Sequence, residues 1–458
     1  MNFIRHKKFK IFVGVFLILV TTGFSCRFIT PKERELLQPI TLTWWGTEDE
    51  SGNFSQLIAD YRLIHPNVTI NYRRLREEEF EIELLEALAE DRGPDIIAIS
   101  NDAVGKYLSK LEPLPSSTTM AYEITQRSLG IKKETVIEVQ ENISLTPAQL
   151  REQFVDVVFQ DVVRNGQIYG LPLSVDTLVL FYNRDLLNNA GIPLPPTDWL
   201  KLQENVKNLT FQNQAGALVQ SGVALGTADN VEHVVDILSL LMMQNGAAMT
   251  SGNNVTFGVV PANQPDRNYN PGQEAIRFYT DFANAAKEVY TWSDDFPNSL
   301  DAFAQGTVAL MFGYNKDIAE LEAKRQGKLN YGITSMPQIE GRPEINYANY
   351  QVHAVSNKSK NINASWDFIQ FIAEATEAKK YLEKTKKPTA LRSLINEQLL
   401  DEDLRVFTRQ ILTAKNWYTG SNNAAMKEAI KEMIRAFRGG QELRDAVMTA
   451  SLKIRQTL

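Results

Sequence analysis

Four histidines and one cysteine limit the metal and nucleophile chemistry that this chain could perform. No histidine has a second histidine or a cysteine at the spacing of a zinc site, so no metal is expected. The sequence has neither the GxxxxGK[ST] loop that binds phosphates nor the GxSxG turn of a nucleophilic serine. Acidic runs at Glu48–Glu50, Asp294–Asp295 and Asp401–Asp403 could supply the two carboxylates, roughly 5 to 9.5 Å apart, of a glycosidase. Such runs are usually solvated surface, so we expect neither catalysis nor a cofactor.

Aromatic rings beside polar side chains form a second set of candidates. A cleft that holds a small ligand usually combines apolar walls of this kind with a few placed polar groups. Trp45 and Glu48 follow one predicted strand, and Asn101 and Asp102 follow another, although these two could instead cap a helix. Neighbouring side chains on a strand face opposite ways, so one of Trp44 and Trp45 should lie in the core. Further candidates are Trp292, Tyr350, Arg392 and the helical pair His233 and Asp236.

Alternating strands and helices would position these side chains. β-Propensity predicts strands at Ile40–Trp45, Val68–Tyr72 and Asp95–Ser100, and apolar periodicity predicts helices at Asn53–His65 and Phe80–Ala89. This order favours parallel strands with helices on both faces of the sheet. Ligands bind such sheets beyond the carboxyl ends of the strands, where the first candidates fall.

The length and composition indicate a soluble protein with two cores. The chain has 458 residues, of which 43% are hydrophobic and 22% are charged. A Ser/Thr-rich, charged stretch at 116–141 is interpreted as an insertion where the chain crosses between domains. Residues 1–25 carry four basic side chains and no acidic ones, so their removal would take the formal charge from −7 to −11. An acidic protein of this kind argues against nucleic acid as a partner.

The N-terminus has the pattern of a secretory signal over residues 1–25. Basic residues precede a short apolar run at Ile11–Val20, which is shorter than the roughly 18 to 20 residues of a membrane span. Cys26, the only cysteine, resembles the acylation site of bacterial lipoproteins, and residues 26–39 would form a tether. The alternative is an uncleaved signal anchor with an incidental cysteine.

Several segments together resemble one protein family. Gly166–Asp176 contains Tyr-Gly-Leu-Pro and leads into a β-rich stretch, and Asn183–Leu187 then opens a short helix. This order resembles the crossover segment of the family 1 extracellular solute-binding proteins, the receptors of ABC importers. Six further segments are similar to that family in the same order: Trp44–Gly46, Tyr61–Val68, Gly93–Ile97, Phe303–Met311, Tyr331–Pro337 and Ala364–Ile369. The similarity runs from about residue 40 to the end.

The resemblance implies an α/β fold of two lobes, each a mostly parallel sheet flanked by helices, with the ligand in a cleft at the hinge. In that family the chain crosses between the lobes more than once. The expected lobe 1 comprises residues 38–117 and 340–388, and the expected lobe 2 comprises residues 118–339 and 389–458.

The resemblance also implies particular binding residues. Similar proteins often place a binding aromatic or acid near Trp45 and Glu48, and their chain crosses the hinge near Asp176. Tyr314 and Trp417 correspond to rings that stack on or close over a sugar in that family. The alternatives are a backbone hydrogen bond for Asp176, a surface turn for Tyr314 and helix packing for Trp417.

The function implied is the substrate-binding component of an ABC importer. It would capture a small solute, most readily a carbohydrate, by cleft closure and deliver it to permease subunits. We expect a monomer outside the cytoplasm, anchored to the cell membrane through lipid on Cys26. The alternatives are a surface sensor or scaffold with the same fold, or a carbohydrate-active enzyme.

Overall fold

A computed structural model of the chain describes residues 38–128, 132–262 and 264–458, with the backbone alone for 123–128 and 132–137. The predicted signal, Cys26 and nearly all of the predicted tether lie outside these ranges. Of the helices within them, none has both the length and the apolar character that crossing a bilayer requires.

Strands and helices alternate along the described chain. The strands are β1 (Ile40–Gly46), β2 (Val68–Arg74), β3 (Ile96–Ser100), β4 (Leu111–Glu112), β5 (Ser117–Ser128), β6 (Lys132–Ile143), β7 (Val163–Arg164), β8 (Gln167–Ile168), β9 (Asp176–Thr177), β10 (Val179–Asn183), β11 (Phe211–Gln212), β12 (Leu218–Val223), β13 (Thr250–Ser251), β14 (Asn254–Val255), β15 (Val308–Gly313), β16 (Tyr331–Ser335), β17 (Asn346–Asn349), β18 (Gln351–Ser356) and β19 (Ala414–Lys415). The α-helices are α1 (Ser55–Ile64), α2 (Glu77–Ala89), α3 (Val104–Tyr107), α4 (Pro147–Gln153), α5 (Asp156–Val162), α6 (Arg184–Asn189), α7 (Trp199–Leu209), α8 (Val234–Gln244), α9 (Pro271–Asp281), α10 (Ser299–Ala304), α11 (Asp317–Arg325), α12 (Ile362–Ala373), α13 (Ala375–Thr385), α14 (Arg392–Gln398), α15 (Arg405–Gln410), α16 (Asn423–Arg438) and α17 (Leu443–Arg455). The elements predicted between residues 40 and 100 are present, with ends that differ by up to three residues.

Two five-stranded sheets form the centres of two lobes. Lobe 1 has the order β2-β1-β3-β18-β4, and lobe 2 has the order β11-β12-β15-β10-β16. The two-lobed α/β fold is thus confirmed, but both sheets are mixed rather than mostly parallel. Parallel pairs join β1 to β2 and β3, and β12 to β15, whereas β18 and β10 run antiparallel to their neighbours. Each of these two strands enters its sheet directly after the chain has crossed from the other lobe, which explains the reversed direction.

A small sheet of order β19-β17-β9 lies where the chain passes between the lobes. β9 pairs antiparallel with β17, and β17 pairs parallel with β19, so the three crossing segments are hydrogen-bonded side by side. We call these three strands the hinge. Each lobe has a hydrophobic core of its own on either side of it.

The cores correct the expected lobe boundaries. Buried residues from Leu42 to Val175 and from Ala348 to Ala414 pack in lobe 1, apart from Phe407. Those from Leu178 to Tyr347 and from Trp417 onward pack in lobe 2, together with Phe407. The chain therefore crosses near residues 176, 347 and 415, rather than after 117, 339 and 388. The apolar pattern of residues 118–175 would suit the core of either lobe, so the sequence could not reveal which core they join.

The stretch interpreted as an insertion at a crossover is a hairpin of lobe 1. β5 and β6 pair antiparallel along their whole length. Near its base, Thr118 and Asn142 both donate hydrogen bonds to Asp367 of α12, each at 3.1 Å. His65 approaches the same carboxylate at 3.3 Å and the carbonyl of Ala121 at 3.1 Å. The hairpin is thus anchored to a helix of lobe 1 and does not lie at a crossing between the lobes.

Candidate ligand-binding site between the lobes

The turn that follows β15 connects lobe 2 to both the hinge and lobe 1. We call residues Tyr314 to Asp317 the 314–317 turn. The backbone N–H of Lys316 donates to Oδ2 of Asp176 in β9 at 3.2 Å. Its Nζ lies 3.3 Å from Oε1 of Glu48 in lobe 1 and 3.1 Å from Oδ1 of Asn349 in β17. Burial opposes the charge on Lys316, but the nearby carboxylates, with Glu48 the strongest, raise its pKa.

Tyr314 lies beneath this lysine in the interior of the protein. Its hydroxyl donates to Oδ2 of Asp236 in α8 at 2.9 Å, and Nζ of Lys316 lies 5.6 Å from the ring centroid. The ring is fully buried. Burial, reinforced by Asp236, raises the pKa of Tyr314 well above its ordinary value, so the hydroxyl stays protonated and acts as a donor.

A second contact joins the lobes at the carboxyl end of β3. Oδ2 of Asp102 lies 2.6 Å from Nζ of Lys427, and Oδ1 accepts a hydrogen bond from Asn423 at 3.0 Å. Both partners belong to α16 of lobe 2. Asp102 is only 8% exposed, and burial favours its neutral form, but Lys427 and the hydrogen bonds outweigh burial and lower its pKa. Asp102 is therefore an anion held by lobe 2.

Next to it, a buried carboxylate organises the hinge side of lobe 1. Asp161 accepts hydrogen bonds from Tyr350 at 2.7 Å, from Asn101 at 2.8 Å and from Asn416 at 3.0 Å. Burial raises its pKa to about 6 in spite of these donors. Asn101 and Tyr350, both candidates from the sequence, thus have their polar side-chain groups engaged within the protein, and Asn101 also accepts from the Tyr350 amide at 3.3 Å.

Asp176 lies at a hinge crossing, where the resemblance placed it, and Trp417 lies just after another crossing; both are largely buried. Asp176 accepts a hydrogen bond from the amide of Thr177 at 2.8 Å as well as from Lys316, and burial raises its pKa to about 7. The indole of Trp417 donates to Ser239 of α8 at 3.0 Å and packs in the core of lobe 2. Both side chains therefore have structural partners beside the site.

The remaining aromatic and basic candidates lie elsewhere. Trp44 is fully buried, and Trp45 is partly exposed with the Arg73 guanidinium 5.1 Å from its ring, so one of the adjacent pair is core, as predicted. Trp292 is a core residue that stacks on Phe296 and donates to Thr227 at 3.1 Å, which corrects its assignment to ligand binding. Arg392 pairs with Asp156 of its own lobe at 2.8 Å.

Seven side chains at these contacts form what we call the interlobe cluster: Glu48, Asp102, Asp176, Asp236, Tyr314, Lys316 and Lys427. Sequence reasoning missed both lysines. Lys316 lies two residues after Tyr314, a candidate from the sequence, so that candidate could have led to it. Lys427 lies on an ordinary amphipathic helix and carries no sequence signal.

A groove of about 840 Å³ on lobe 2, walled by Trp199, Phe278 and Phe437, shares no residue with the cluster.

The cluster is suited to neutral polar groups rather than to a metal. Its carboxylates accept hydrogen bonds, and its lysines and tyrosine donate them. A ligand hydroxyl group both donates and accepts, so it could bind either kind of side chain. The described part of the chain holds no group of three or more His, Cys, Asp or Glu side chains arranged for a metal ion.

Two lobes, a three-stranded hinge and a polar cluster between the lobes define a two-lobed α/β binding protein. The model of the bacterial extracellular solute-binding protein family matches residues 45–379, and the chain belongs to that family, as its motifs predicted. The galactooligosaccharide-binding protein of Bacillus subtilis (strain 168) is 22% identical over 87% of this chain and 85% of its own length. A maltooligosaccharide ABC transporter solute-binding lipoprotein of Streptococcus pneumoniae (strain R6) is 23% identical over 64% of this chain and 66% of its own. The cyclic alpha-maltosyl-1,6-maltose binding protein of Arthrobacter globiformis shares the fold with a TM-score of 0.70, at 15% identity, over 92% of this chain and 99% of that one.

Proposed function

We propose that this protein captures a carbohydrate between its lobes and delivers it to the permease of an ABC importer. The observation that carries the proposal is the interlobe cluster, in which side chains of both lobes meet at the hinge. Sugar binding by the relatives named above supports the choice of ligand class. The protein would act by binding alone, without catalysis.

Glu48, Asp102 and Asp236 are the proposed acceptors for ligand hydroxyl groups, and Lys316 and Lys427 are the proposed donors. Glu48 and Asp102 belong to lobe 1, whereas the other three belong to lobe 2. A ligand that contacts both sets binds the closed form more tightly than the open form. It therefore shifts the population toward closure by that difference in affinity.

We further propose that the mature protein is held at the membrane by lipid on Cys26. The supporting observations are the basic and apolar pattern that precedes this cysteine and the lipoprotein named among the relatives. The tether would leave both lobes free to meet the permease.

Calorimetric titration with maltotetraose, galactotriose and raffinose tests the ligand class. At least one of these should bind, and Lys316→Ala should weaken binding by roughly 10- to 150-fold, since a hydrogen bond to a charged group contributes about 1.5 to 3 kcal/mol. Lys324→Ala is the matched control, because Lys324 lies on α11 only eight residues away and pairs at the surface with Asp301 and Glu320.

Lys324→Ala should leave affinity unchanged. If the protein binds none of these three sugars and no other member of a broader panel of oligosaccharides, the carbohydrate proposal is refuted. Equal affinity losses in the two lysine variants would instead place the site away from the 314–317 turn.

A further inference from the structure

His233 has an unusual backbone conformation at the start of α8. Its φ of 55° and ψ of 26° lie in the left-handed region, which non-glycine residues seldom adopt. Such a conformation persists only where the surrounding structure holds it. The side chain of His233 is mostly buried and points to the 314–317 turn, so contacts with this turn could hold the backbone conformation.

The imidazole of His233 forms a close pair with Asp317. Its Nε2 lies 2.7 Å from Oδ2 of Asp317, and the same oxygen accepts the backbone N–H of Tyr314 at 2.7 Å. Because Asp317 is the acceptor, Nε2 carries a proton in this contact. The imidazole also packs edge-on against the ring of Tyr314, with centroids 4.7 Å apart and planes at 82°.

This pair fixes the turn that reaches across the lobes. One end of the turn holds Tyr314, whose hydroxyl binds Asp236, and the other holds Lys316, which contacts Glu48 and Asp176. A shift of Asp317 would therefore move the donors of the interlobe cluster. The side-chain contacts of His233 with described residues are to Asp317 and Tyr314 of the turn, so its proposed influence on the ligand acts through the turn.

We propose that His233 is a positioning residue for ligand binding, which acts by holding the 314–317 turn through Asp317. The proposal rests on the proposed function, since it concerns the same site. His233 faces Asp317 and Lys316 of the turn, the ring of Tyr314, and Asp236 of its own helix.

The pair also predicts how binding should depend on pH. Burial disfavours the imidazolium, but Asp317 outweighs burial and raises the pKa of His233 above its ordinary value. Burial likewise opposes the charge of Asp317, but His233 is the strongest influence that lowers its pKa. The charged pair is therefore present at low pH and is lost as pH rises through the raised pKa of His233, so affinity should fall with rising pH.

Two substitutions separate the imidazole from the backbone conformation. His233→Asn and His233→Gly both remove the charge, while asparagine and glycine tolerate positive φ and should let α8 begin as before. Affinity for maltotetraose, galactotriose and raffinose would be measured by calorimetry from about pH 6 to about pH 9. Both variants should bind roughly tenfold more weakly than the wild type near pH 6. Their affinity should depend less on pH than that of the wild type, and the dependence that remains is that of Asp176, whose pKa is about 7.

Asp317→Asn should give the same loss, and the double variant His233→Asn/Asp317→Asn should lose little more, because either change alone already removes the charged pair. If His233→Asn and His233→Gly keep the wild-type affinity and pH profile, His233 merely begins a helix and the proposal is overturned.

A measurement without ligand keeps this inference distinct from the proposed function. In ¹⁵N-labelled protein, the amide signal of Tyr314, whose N–H donates to Asp317, should follow the titration of His233, and this response should vanish in His233→Asn. The amide signal of Lys316 should keep a response to Asp176, to which its N–H donates. Failure of every sugar to bind, with the coupled titration present, would refute the carbohydrate proposal and leave the positioning role in place. Amide signals that ignore the titration of His233 would overturn the positioning role, whatever the sugars do.

Discussion

Gly105 lies where the backbones of the two lobes approach each other closely, and it offers a direct test of closure. It lies in α3 of lobe 1, and a Cβ atom built on it would meet the backbone of Thr419 and Gly420 in lobe 2. The Thr419 carbonyl carbon would lie 2.9 Å away and both carbonyl oxygens closer still, whereas ordinary contact begins at 3.4 Å. The opposing backbone is held from behind by the 2.6 Å hydrogen bond from the Ser421 amide to Thr457.

Gly105→Ala should therefore keep the lobes apart. Moving the Thr419 carbon from 2.9 to 3.4 Å requires at least half an ångström, and the oxygens require more. The 2.6 Å contact between Asp102 and Lys427, three residues from Gly105 along lobe 1, would stretch accordingly. The Asp102–Lys427 pair regains hydration as it separates, so the loss comes from the ligand contacts beside it and should be about 1 to 2 kcal/mol, or roughly 5- to 30-fold in affinity.

The stability of the protein should not fall with the affinity. Alanine favours a helix over glycine by about 1 kcal/mol, so α3 itself should be unharmed. Gly439→Ala is the control, because the residue is exposed directly after α16 and a Cβ there would be only 0.2 Å short of ordinary contact, at 3.2 Å from the Arg435 carbonyl oxygen.

Calorimetry, thermal unfolding and small-angle scattering of ligand-saturated protein measure the three consequences. The Gly105→Ala variant should show weaker binding, an unchanged melting temperature and a larger radius of gyration in the bound state. Wild-type affinity together with a wild-type scattering curve would refute the reasoning, since the ligand-bound lobes would then not meet at Gly105.

Two further predictions concern the hinge and the N-terminus. Burial raises the pKa of Asp176 from its ordinary 3.8 to about 7. As pH rises through this range the unfolded state loses the proton first, so the stability of the wild type should fall relative to that of Asp176→Asn. Denaturant unfolding of both proteins at several pH values measures this difference, and identical pH profiles would contradict it. Cys26→Ala, expressed in a bacterium, should abolish lipid labelling and release the protein from membranes; labelling that persists would contradict acylation of Cys26, and membrane retention without labelling would favour an uncleaved anchor.

The family and fold class could be predicted because they depend on local patterns. Strand propensity, helical periodicity and ordered motifs between residues 40 and 369 all report on single elements and their sequence. The lobe boundaries could not be predicted in this way. Assignment of residues 118–175 to lobe 1 depends on which core Leu150 and Phe154 enter. That choice is made by contacts with residues far away along the chain, such as Leu391, which lies 237 positions after Phe154.

The site was harder to predict than the fold for a related reason. Rings such as Trp292 and Tyr350 lie beside polar residues in the sequence, yet their own polar atoms bond Thr227 and Asp161, which are distant along the chain and lie within the same lobe as the ring. Conversely, the role of Lys427 arises from its position opposite Asp102, 325 residues earlier in the chain. A sequence pattern describes the surroundings of one residue, whereas an interlobe contact depends on two residues that are distant along the chain.

The cross-lobe pairs themselves should contribute little net free energy to closure. When the lobes separate, Asp102 and Lys427 regain hydration, which offsets most of the attraction that they lose. The Glu48–Lys316 pair is partly exposed, at 21% and 32% of the two side chains, and such pairs typically contribute about 0 to 1 kcal/mol. The cross-lobe pairs therefore fix the geometry of the closed form but contribute little to its free energy. A ligand that adds a few hydrogen bonds to both lobes then decides the equilibrium between the open and closed forms. A shift of the closed-to-open ratio from 1:99 to 99:1 requires that the ligand bind the closed form more tightly by about 5.5 kcal/mol.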